Sequence, residues 1–383
     1  MKKGVWLVGG LLSTLIFVLF VAHPVQAAER IYGMNKFQTA VQVAYRINPG
    51  TVNSVVLANG NGFADALAGV PLARQKNAPL LLVDSTPGTS GDALTYIDKH
   101  LDRGGSVYIL GGTGVVPDSF VSALVGMGLD RRNIHRLAGT DRYATAVEVA
   151  KEMQHNGTEF FLVSGENFPD ALSASVAAAL LGSVAPEEAE HLRQVTGLPH
   201  APELGGVPFL LMPSSGRAPD SVVDYLNSVS LPALVPLQFF DIVGGEAAVS
   251  DSVVNDLKSR VYRFGSVRMR LAGADRYATS AAVNRLGFEN YYANTGVGYK
   301  NPRIYVATGE DYADALCGAV LAAMNHAPLV LVSDSLPPAT IDLLLHYRDE
   351  NSHDPPVDTS IIVIGSPSTI SDATVEQMER LFP

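Results

Sequence analysis

Short apolar runs and helical patterns alternate along the chain from residue 54 onward. The runs SVVLANG, APLLLVDS and SVYILGG are rich in aliphatic and β-branched residues, which is typical of strands buried on both faces of a sheet. The stretches between them repeat apolar residues at the helical period. The sequence therefore predicts strands at 54–60, 78–85 and 106–112, and helices at 62–73, 93–101 and 117–127.

The same order of elements occurs twice more. Strands that alternate with helices are typical of βα units, which form a parallel sheet covered by helices on both faces and joined by right-handed crossovers. We therefore predict an α/β fold throughout. The further strands are 160–165, 208–214, 240–245, 304–309, 328–335 and 361–366, and the further helices are 168–180, 222–226, 250–257, 312–324, 341–347 and 371–381.

One phrase opens each of the three stretches. RLAGTDRYATAVEVA begins at Arg136, RLAGADRYATSAAV begins at Arg270, and the looser RIYGMNKFQTAVQVA begins at Arg30. Repetition at such spacing predicts three copies of one structural unit. We expect module boundaries at 28–135, 136–269 and 270–383, with a surface insertion near 182–206 in the second module.

The first 27 residues have the pattern of a signal peptide. Lys2 and Lys3 precede an uncharged apolar run from Gly4 to Ala22, and Val25-Gln26-Ala27 resembles a cleavage site. The sequence therefore predicts an exported protein with no stable membrane span after cleavage. Because the apolar run is long, a retained anchor formed by residues 4–22 is the alternative.

Composition narrows the classes of partner. The predicted signal peptide contains two of the 27 Lys and Arg and none of the 38 Asp and Glu, so the mature chain is more acidic than the full sequence, whose net charge is −11. This balance excludes a general nucleic-acid surface. Cys317 is the single cysteine, so no intramolecular disulfide forms, and its apolar surroundings predict a buried small side chain.

The repeated motifs resemble a known family. The R-L-A-G-x-D-R-Y-x-T phrase, the F-x-D-A-L phrase, the apolar strand that follows a proline, and the V-G-G strand end are similar to the type 2 cell-wall-binding repeat. This resemblance implies three Rossmann-like or Toprim-like modules packed with pseudo-threefold symmetry. It also implies a secreted Gram-positive protein that binds anionic polymers of the cell wall at the cell surface, without a cofactor; peptidoglycan is the alternative ligand. The first repeat departs from the pattern at Asn35, Lys36 and Phe37.

Two sets of acidic or amide residues recur in the repeats. Asn35, Asp141 and Asp275 precede the first helix of each module, where Asn and Asp serve equally well as N-caps. Asp65, Asp170 and Asp314 follow a strand, and we expect them in the first turn of the next helix, where the helix dipole favours a carboxylate. We interpret both sets as structural or as contacts between modules, with a metal ligand or a catalytic acid as the alternative for the second set.

Two sets of cations are the candidate ligand-binding residues. Lys36, Arg142 and Arg276 directly follow the predicted caps, and each phrase begins with an arginine at Arg30, Arg136 or Arg270. One hypothesis is that these cations bind the negative groups of the polymer. The other is that Lys36, Arg142 and Arg276 form ion pairs with the recurrent aspartates. Since lysine lacks the bidentate fork of arginine, we expect the first repeat to bind least tightly.

No enzyme motif accompanies these residues. The sequence lacks HExxH, GxSxG and P-loop patterns, and the nine His are scattered without the spacing of metal ligands. We therefore expect a binding protein with no catalytic residues and no metal. The alternatives are an enzyme or enzyme modifier acting on wall material, and a surface scaffold for protein partners. Tyr291, Tyr292 and Tyr299 could stack on sugar rings or pack locally.

Overall fold

The computed structural model describes residues 28–153, 155, 158–180, 206–231, 236–295, 303–351 and 358–382. The predicted signal peptide, almost all of the predicted insertion near 182–206, and Tyr299 lie outside the described residues.

Three parallel four-stranded sheets form the framework, which confirms the predicted α/β fold of three modules. In spatial order, the first sheet contains Leu80–Val83 (β3), Val52–Asn59 (β2), Leu101–Leu110 (β4) and Ile134–Leu137 (β5). The second contains Phe209–Met212 (β7), Glu159–Ser164 (β6), Gln238–Val243 (β8) and Phe264–Leu271 (β9). The third contains Leu329–Val332 (β11), Arg303–Thr308 (β10), Ser360–Ile364 (β12) and Glu29–Ile31 (β1).

The outer strand of each sheet belongs to the opening phrase of a different repeat. Arg136 of the second phrase pairs with Ile109 in the first sheet, and Arg270 of the third phrase pairs with Ile242 in the second sheet. Arg30 of the first phrase pairs with Val363 of the last strand, which closes the three modules into a ring. The sheets therefore extend across the repeat boundaries predicted at 136 and 270.

Helices cover both faces of the sheets, and each predicted helix is present within a few residues except at the start of the helix predicted at 62–73. None of the helices in the described part of the chain combines the length and the apolar character needed to cross a membrane. The helices are Lys36–Ile47 (α1), Gly69–Gln75 (α2), Gly91–His100 (α3), Asp118–Gly126 (α4), Arg142–Glu152 (α5), Pro169–Leu180 (α6), Asp220–Ser228 (α7), Asp251–Arg260 (α8), Arg276–Thr295 (α9), Ala313–Met324 (α10), Pro338–Asn351 (α11) and Asp372–Glu379 (α12).

The helix predicted at 62–73 was wrong at its start, because α2 begins only at Gly69. Pro71 has no N–H, and its ring clashes with the carbonyl four residues earlier when it lies inside a helix. Starting at Gly69 places Pro71 in the first turn, where it is tolerated. Asp65 therefore lies in the turns before the helix, whereas Asp170 and Asp314 lie in the first turns of α6 and α10, as predicted.

The modules share one central core. Helices α2, α6 and α10 pack against one another, and a continuous apolar cluster includes residues of all three, such as Leu72, Val176 and Leu316. Cys317 of α10 belongs to this cluster and is 1% exposed. Three separate clusters lie on the outer sides of the sheets. Each sheet is thus packed between a shared interior and its own outer helices, which excludes modules that move as independent beads.

Candidate functional site

The opening phrase forms a tight, capped helix start. Asp141 accepts a hydrogen bond from the backbone N–H of Ala144 at 2.8 Å, and Thr145 Oγ1 accepts one from the N–H of Gly139 at 3.2 Å. A Cβ on Gly139 would lie 2.3 Å from that of Ala144, so only glycine fits there. The equivalent bonds are Gln38 N–H to Asn35, Gly33 N–H to Thr39, Ala278 N–H to Asp275 and Gly273 N–H to Thr279.

The recurrent aspartates lie where two modules meet. Asp170 of the second module faces Thr279 of the third phrase, and its carboxylate packs over Gly244 at the end of β8. Gly244 has a φ of +109°, and a Cβ there would lie 2.6 Å from Asp170 Oδ2. The same grouping joins Asp65 to Thr145 and Gly111, and Asp314 to Thr39 and Gly365.

Burial raises the pKa of all three carboxyl groups. For Asp314 the pKa rises to about 6, because burial removes water and Asp311 adds a like charge, while a hydrogen bond with Thr39 opposes the rise. Burial also raises the pKa of Asp65 and of Asp170. Within the described residues, Asp314 Oδ1 is buried without a hydrogen-bond partner. Of the three carboxyl groups, that of Asp314 thus has the most strongly raised pKa.

The first arginine of each phrase is bound inside the protein. Arg136 donates to the carbonyl of Gly111 at 2.9 Å and to Asp118 at 2.9 Å, and its side chain is only 18% exposed. These bonds attach strand β5 to the start of α4. Arg30 contacts Gly365 and Asp372 in the same way, and Arg270 contacts Gly244 and Asp251.

The predicted ion pairs between the second cations and the recurrent aspartates do not form among the described residues, and that hypothesis was wrong. Arg142 Nη1 instead donates to the carbonyl of Gly165 at 2.6 Å, and Arg276 Nη1 donates to that of Gly309 at 2.5 Å. Arg276 also lies 3.7 Å from Glu310. A carbonyl within the cation's own module therefore takes the place expected for the carboxylate. Burial still raises the pKa of Asp65 and of Asp170, and the positive charges of Arg142 and Arg276 partly oppose that rise.

Lys36 differs from its two counterparts. In the described part of the chain, its ammonium group has no hydrogen bond or ion pair, and it lies 5.5 Å from the centre of the Phe37 ring. The carbonyl of Gly60, which corresponds to those of Gly165 and Gly309, accepts a hydrogen bond from the hydroxyl of Tyr312 at 2.7 Å.

Three aromatic rings mark the pseudo-threefold axis. The ring centres of Phe63, Phe168 and Tyr312 lie 5.7, 5.8 and 5.9 Å apart and are mutually tilted by about 60°. Arg142 lies 6.0 Å from the centre of the Phe63 ring, and Arg276 lies 5.9 Å from that of Phe168. One aromatic from each F-x-D-A-L phrase therefore packs at the centre of the ring of modules.

In the described part of the chain, two boundaries between modules form grooves at the carboxyl ends of the strands. The groove between the second and third modules, called here the second groove, has a volume of about 540 Å³; the groove between the third and first modules, called the closing groove, has a volume of about 410 Å³. Carboxyl ends of parallel strands are the usual place for ligand sites in α/β folds. Asp170, Ser214, Gly245, Asp275, Arg276 and Thr279 line the second groove, and Asn35, Lys36, Asp311, Asp314, Ser366 and Ser368 line the closing groove.

The side chains that line these grooves can form polar contacts with a ligand. They offer hydroxyl groups, amide and carboxylate oxygens, and one cation each from the phrase. No cluster of three or more His, Cys, Asp or Glu side chains that could hold a metal occurs within the described ranges. Such a set of groups can form hydrogen bonds with sugar hydroxyls and attract a negative group.

Sequence reasoning missed several residues that build these boundaries. The glycines with positive φ, Gly111, Gly244 and Gly365, end the last strand of each module and could have been found from the repeated G-G or G-S strand end. The threonines Thr39, Thr145 and Thr279 are part of the repeated phrase, but their position beside an aspartate of another module had no signal in the sequence. The aromatic cluster likewise depended on how the modules pack.

Comparison with known proteins places the chain among cell-wall-binding sequences. The family described as cell wall binding domain 2 matches residues 30–121, 136–186 and 270–376. The chain is 28% identical over 324 residues to the N-acetylmuramoyl-L-alanine amidase LytC of Bacillus subtilis, covering 82% of this chain and 53% of that protein. It is 26% identical over 360 residues to the amidase enhancer of the same organism, covering 94% of this chain and 41% of that protein.

Solved structures with the same fold are also known. Cwp8 from Clostridium difficile matches with a TM-score of 0.69 at 24% identity, over 92% of this chain and 51% of that one. Cwp6 from the same organism matches with a TM-score of 0.68 at 20% identity, over 93% and 48%. The chain thus spans about half the length of the proteins that it matches.

Proposed function

The chain belongs to the cell wall binding domain 2 family, and on this premise we propose that it attaches non-covalently to anionic polymers of a Gram-positive cell wall. The binding units would be the three modules at 28–135, 136–269 and 270–383, and residues 1–27 would direct export. The protein would then act at the cell surface as an anchor.

The observation that supports this proposal most directly is the position of the grooves. The phrase that defines the repeats lines both of them, together with the helix start of the preceding module. A groove built by two modules exists only in the assembled ring. The repeated residues therefore serve the architecture and create a ligand site at the same place.

Multivalent attachment would explain three copies of one module. A polymer with a repeating structure can occupy more than one groove, so the second contact becomes intramolecular. Such linkage raises the overall affinity by roughly 10²–10⁴ over that of a single site. Individually weak grooves would then suffice for stable attachment.

We propose no enzymatic activity for this chain. The aspartates Asp65, Asp170 and Asp314 each contact a threonine and a glycine at a module boundary, which is a structural arrangement found three times. The relatives named for an amidase and for an amidase enhancer extend well beyond the region that they share with this chain. Those named activities are compatible with a shared wall-binding part joined to other parts. Turbidity of a wall suspension would remain constant on adding the chain; clearing would contradict the proposal.

The deciding experiment is co-sedimentation with purified walls. Residues 28–383 are mixed with native walls and with walls chemically stripped of their anionic polymers, at low and high salt. We expect sedimentation with native walls, weakened by salt because ions screen the attraction, and loss of sedimentation with stripped walls. Equal binding to stripped walls would make peptidoglycan the ligand, and no binding to either would contradict wall attachment.

A further inference from the structure

We infer that the three module boundaries are not equivalent ligand sites and that the closing groove, through Lys36, is the principal contact for the negative groups of the polymer. This inference rests on the proposed wall attachment and assigns it to one place. It reverses the order of affinities that the head groups of lysine and arginine alone predict.

The two arginines at the other boundaries have structural partners. Arg142 binds the carbonyl of Gly165, and Arg276 binds that of Gly309 and lies close to Glu310. Both guanidinium groups also lie over aromatic rings of the neighbouring module. A ligand that recruited either cation would compete with these contacts.

The corresponding structural bond at the closing boundary is made by another residue. Tyr312 stands where the other modules have Phe63 and Phe168, and its hydroxyl donates a hydrogen bond to the carbonyl of Gly60. This is the bond that an arginine at position 36 would make. The first repeat has Lys36 in place of Arg, and the third has Tyr312 in place of Phe. Together these two changes keep a hydrogen bond to the Gly60 carbonyl and leave the Lys36 ammonium group available in the closing groove.

The rim of the closing groove is also different. Met34 lines it and is 89% exposed, and Tyr32 on the same segment is 46% exposed. Met34 corresponds to Thr140 in the second phrase and Ala274 in the third, and Tyr32 corresponds to Ala138 and Ala272. Large exposed side chains beside a cation offer apolar area to the face of a sugar ring, with the cation placed for a charged substituent.

The acidic residues in the groove restrict the class of ligand. Asp311 and Asp314 line the same cavity as Lys36, so a densely charged chain such as polyphosphate would be repelled by two carboxyl groups. A sugar-based polymer with isolated negative groups can place one of them at Lys36 and donate its hydroxyl groups to the carboxylates. The groove thus fits a sparsely charged glycopolymer.

The first test compares three single variants of residues 28–383 in co-sedimentation with native walls. We expect Lys36→Gln to lower the apparent affinity about tenfold, as the loss of one charged contact does, and to leave the melting temperature unchanged. Two arginine variants serve for comparison, and both should lower the melting temperature. At temperatures where the variants stay folded, Arg142→Gln should bind with an affinity within about twofold of the wild type. Arg276→Gln, whose side chain lines the second groove, should lose less affinity than Lys36→Gln. If Lys36→Gln binds as the wild type does, or either arginine variant loses more affinity, the inference is wrong.

The second test rebuilds the arrangement of the other modules at this boundary. In the double variant Lys36→Arg with Tyr312→Phe, the arginine can take the carbonyl of Gly60 and is no longer available to the ligand. We expect the melting temperature of the wild type and an affinity as low as that of Lys36→Gln. Wild-type affinity together with wild-type stability would show that availability of the cation is irrelevant and would overturn the inference.

The outcomes separate this inference from the proposed function. Failure of the wild type to bind native walls would reject wall attachment itself, and the inference with it. Binding that is abolished by stripping yet unaffected by Lys36→Gln would retain the function and reject the closing groove as the principal site. For the ligand class, polymer released from walls should compete at least tenfold better than polyphosphate of equal charge; equal competition would contradict a sparsely charged glycopolymer.

Discussion

Three residues from distant parts of the sequence meet at each module boundary: an aspartate, a threonine and a glycine with positive φ. In the closing groove these are Asp314, Thr39 and Gly365. The glycine allows the carboxylate to pack directly over the backbone, and the threonine is placed by the tight turn of the opening phrase. The boundary is therefore specified by small residues and one half-buried acid rather than by a large apolar contact alone.

The half-buried carboxyl group of Asp314 predicts a dependence of stability on pH. The pKa of Asp314 is about 6 in the folded protein against 3.8 for an ordinary aspartate, so the folded state binds the proton more tightly. Its stabilising effect is complete below pH 4 and is lost as the pH rises through 6. Over that interval the loss is about 2–3 kcal/mol. Asp314→Asn cannot lose a proton, so the free energy of unfolding of the variant, relative to wild type, should rise by that amount between pH 4 and pH 7.

Chemical denaturation at pH 4, 5, 6 and 7 measures this difference. Asp224→Asn is the matched control, since Asp224 is exposed on α7. The control should follow the wild type at every pH. A constant difference between Asp314→Asn and the wild type over the whole range would contradict a raised pKa.

Neighbouring glycines offer a second test at this scale. Gly244 has a φ of +109° and no room for a Cβ, whereas a Cβ on Gly245 would meet nothing within 4 Å. Gly244→Ala should lower the free energy of unfolding by at least about 1–3 kcal/mol, the usual cost of a strained backbone. Gly245→Ala should change it by less than about 1 kcal/mol. Equal effects of the two substitutions in denaturant titrations would argue against a steric role for Gly244.

At the scale of elements, the opening strand of each phrase connects two modules. Strand β5 pairs with β4 of the first module, while helix α5, which follows it directly, packs on β7 of the second. The arginine that begins each phrase lies in this strand and binds the start of the helix that follows the neighbouring strand of the sheet. For Arg136 in β5, the neighbouring strand is β4 and the helix is α4. The phrase thus connects two sheets, and its first arginine is part of that connection.

This arrangement predicts unequal effects within one ion pair. Arg136→Gln removes the bond to the carbonyl of Gly111 and should lower the free energy of unfolding by about 1–3 kcal/mol. Asp118 is 71% exposed, so Asp118→Asn should cost less than about 1 kcal/mol. Arg132→Gln serves as a control, because Arg132 is 88% exposed, and should be neutral within about 0.5 kcal/mol. Thermal and denaturant unfolding measure all three; equal losses for Arg136→Gln and Asp118→Asn would contradict the dominant role of the carbonyl bond.

At the scale of the whole molecule, the modules enclose a common interior. The residues of α6 and α10 from Ala171 to Leu180 and from Ala313 to Ala323 are almost all buried, and the ring is closed by the pairing of β1 with β12. The rings of Phe63, Phe168 and Tyr312 meet at the axis. Each module therefore depends on both neighbours to cover its central helix.

A single module should consequently be unstable. A fragment of residues 138–272 keeps the second sheet complete but exposes the apolar surface of α6 that the other modules cover. We expect aggregation, or a broad melt without a cooperative transition, in light scattering and calorimetry, with residues 28–383 as the cooperative control. A monomeric fragment with a sharp melt would show that the central core is not shared.

The order and type of elements were determined by the sequence because their signals are local. Apolar periodicity, the caps at Asn35, Asp141 and Asp275, and the threefold repetition depend only on neighbouring residues, and they led to the correct class of fold. The start of α2 was decided locally as well, by Pro71, although the wider helical pattern concealed it. The resemblance of the phrases to a family of wall-binding repeats was also available from the sequence alone.

Tertiary structure alone decided which module each element joins. Because the repeats are alike, the sequence pattern cannot distinguish pairing within a repeat from pairing with the next, and the contact of Arg30 with Gly365 spans almost the whole chain. The carbonyl partners of Arg142 and Arg276 lie 23 and 33 positions further along the chain, and no local signal encodes that pairing. The carbonyl that corresponds to them beside Lys36 is bonded by Tyr312 of another module. Tyr312 makes the carbonyl bond at the closing boundary that an arginine makes at the other two boundaries. This substitution is seen only in the contact between the third and first modules.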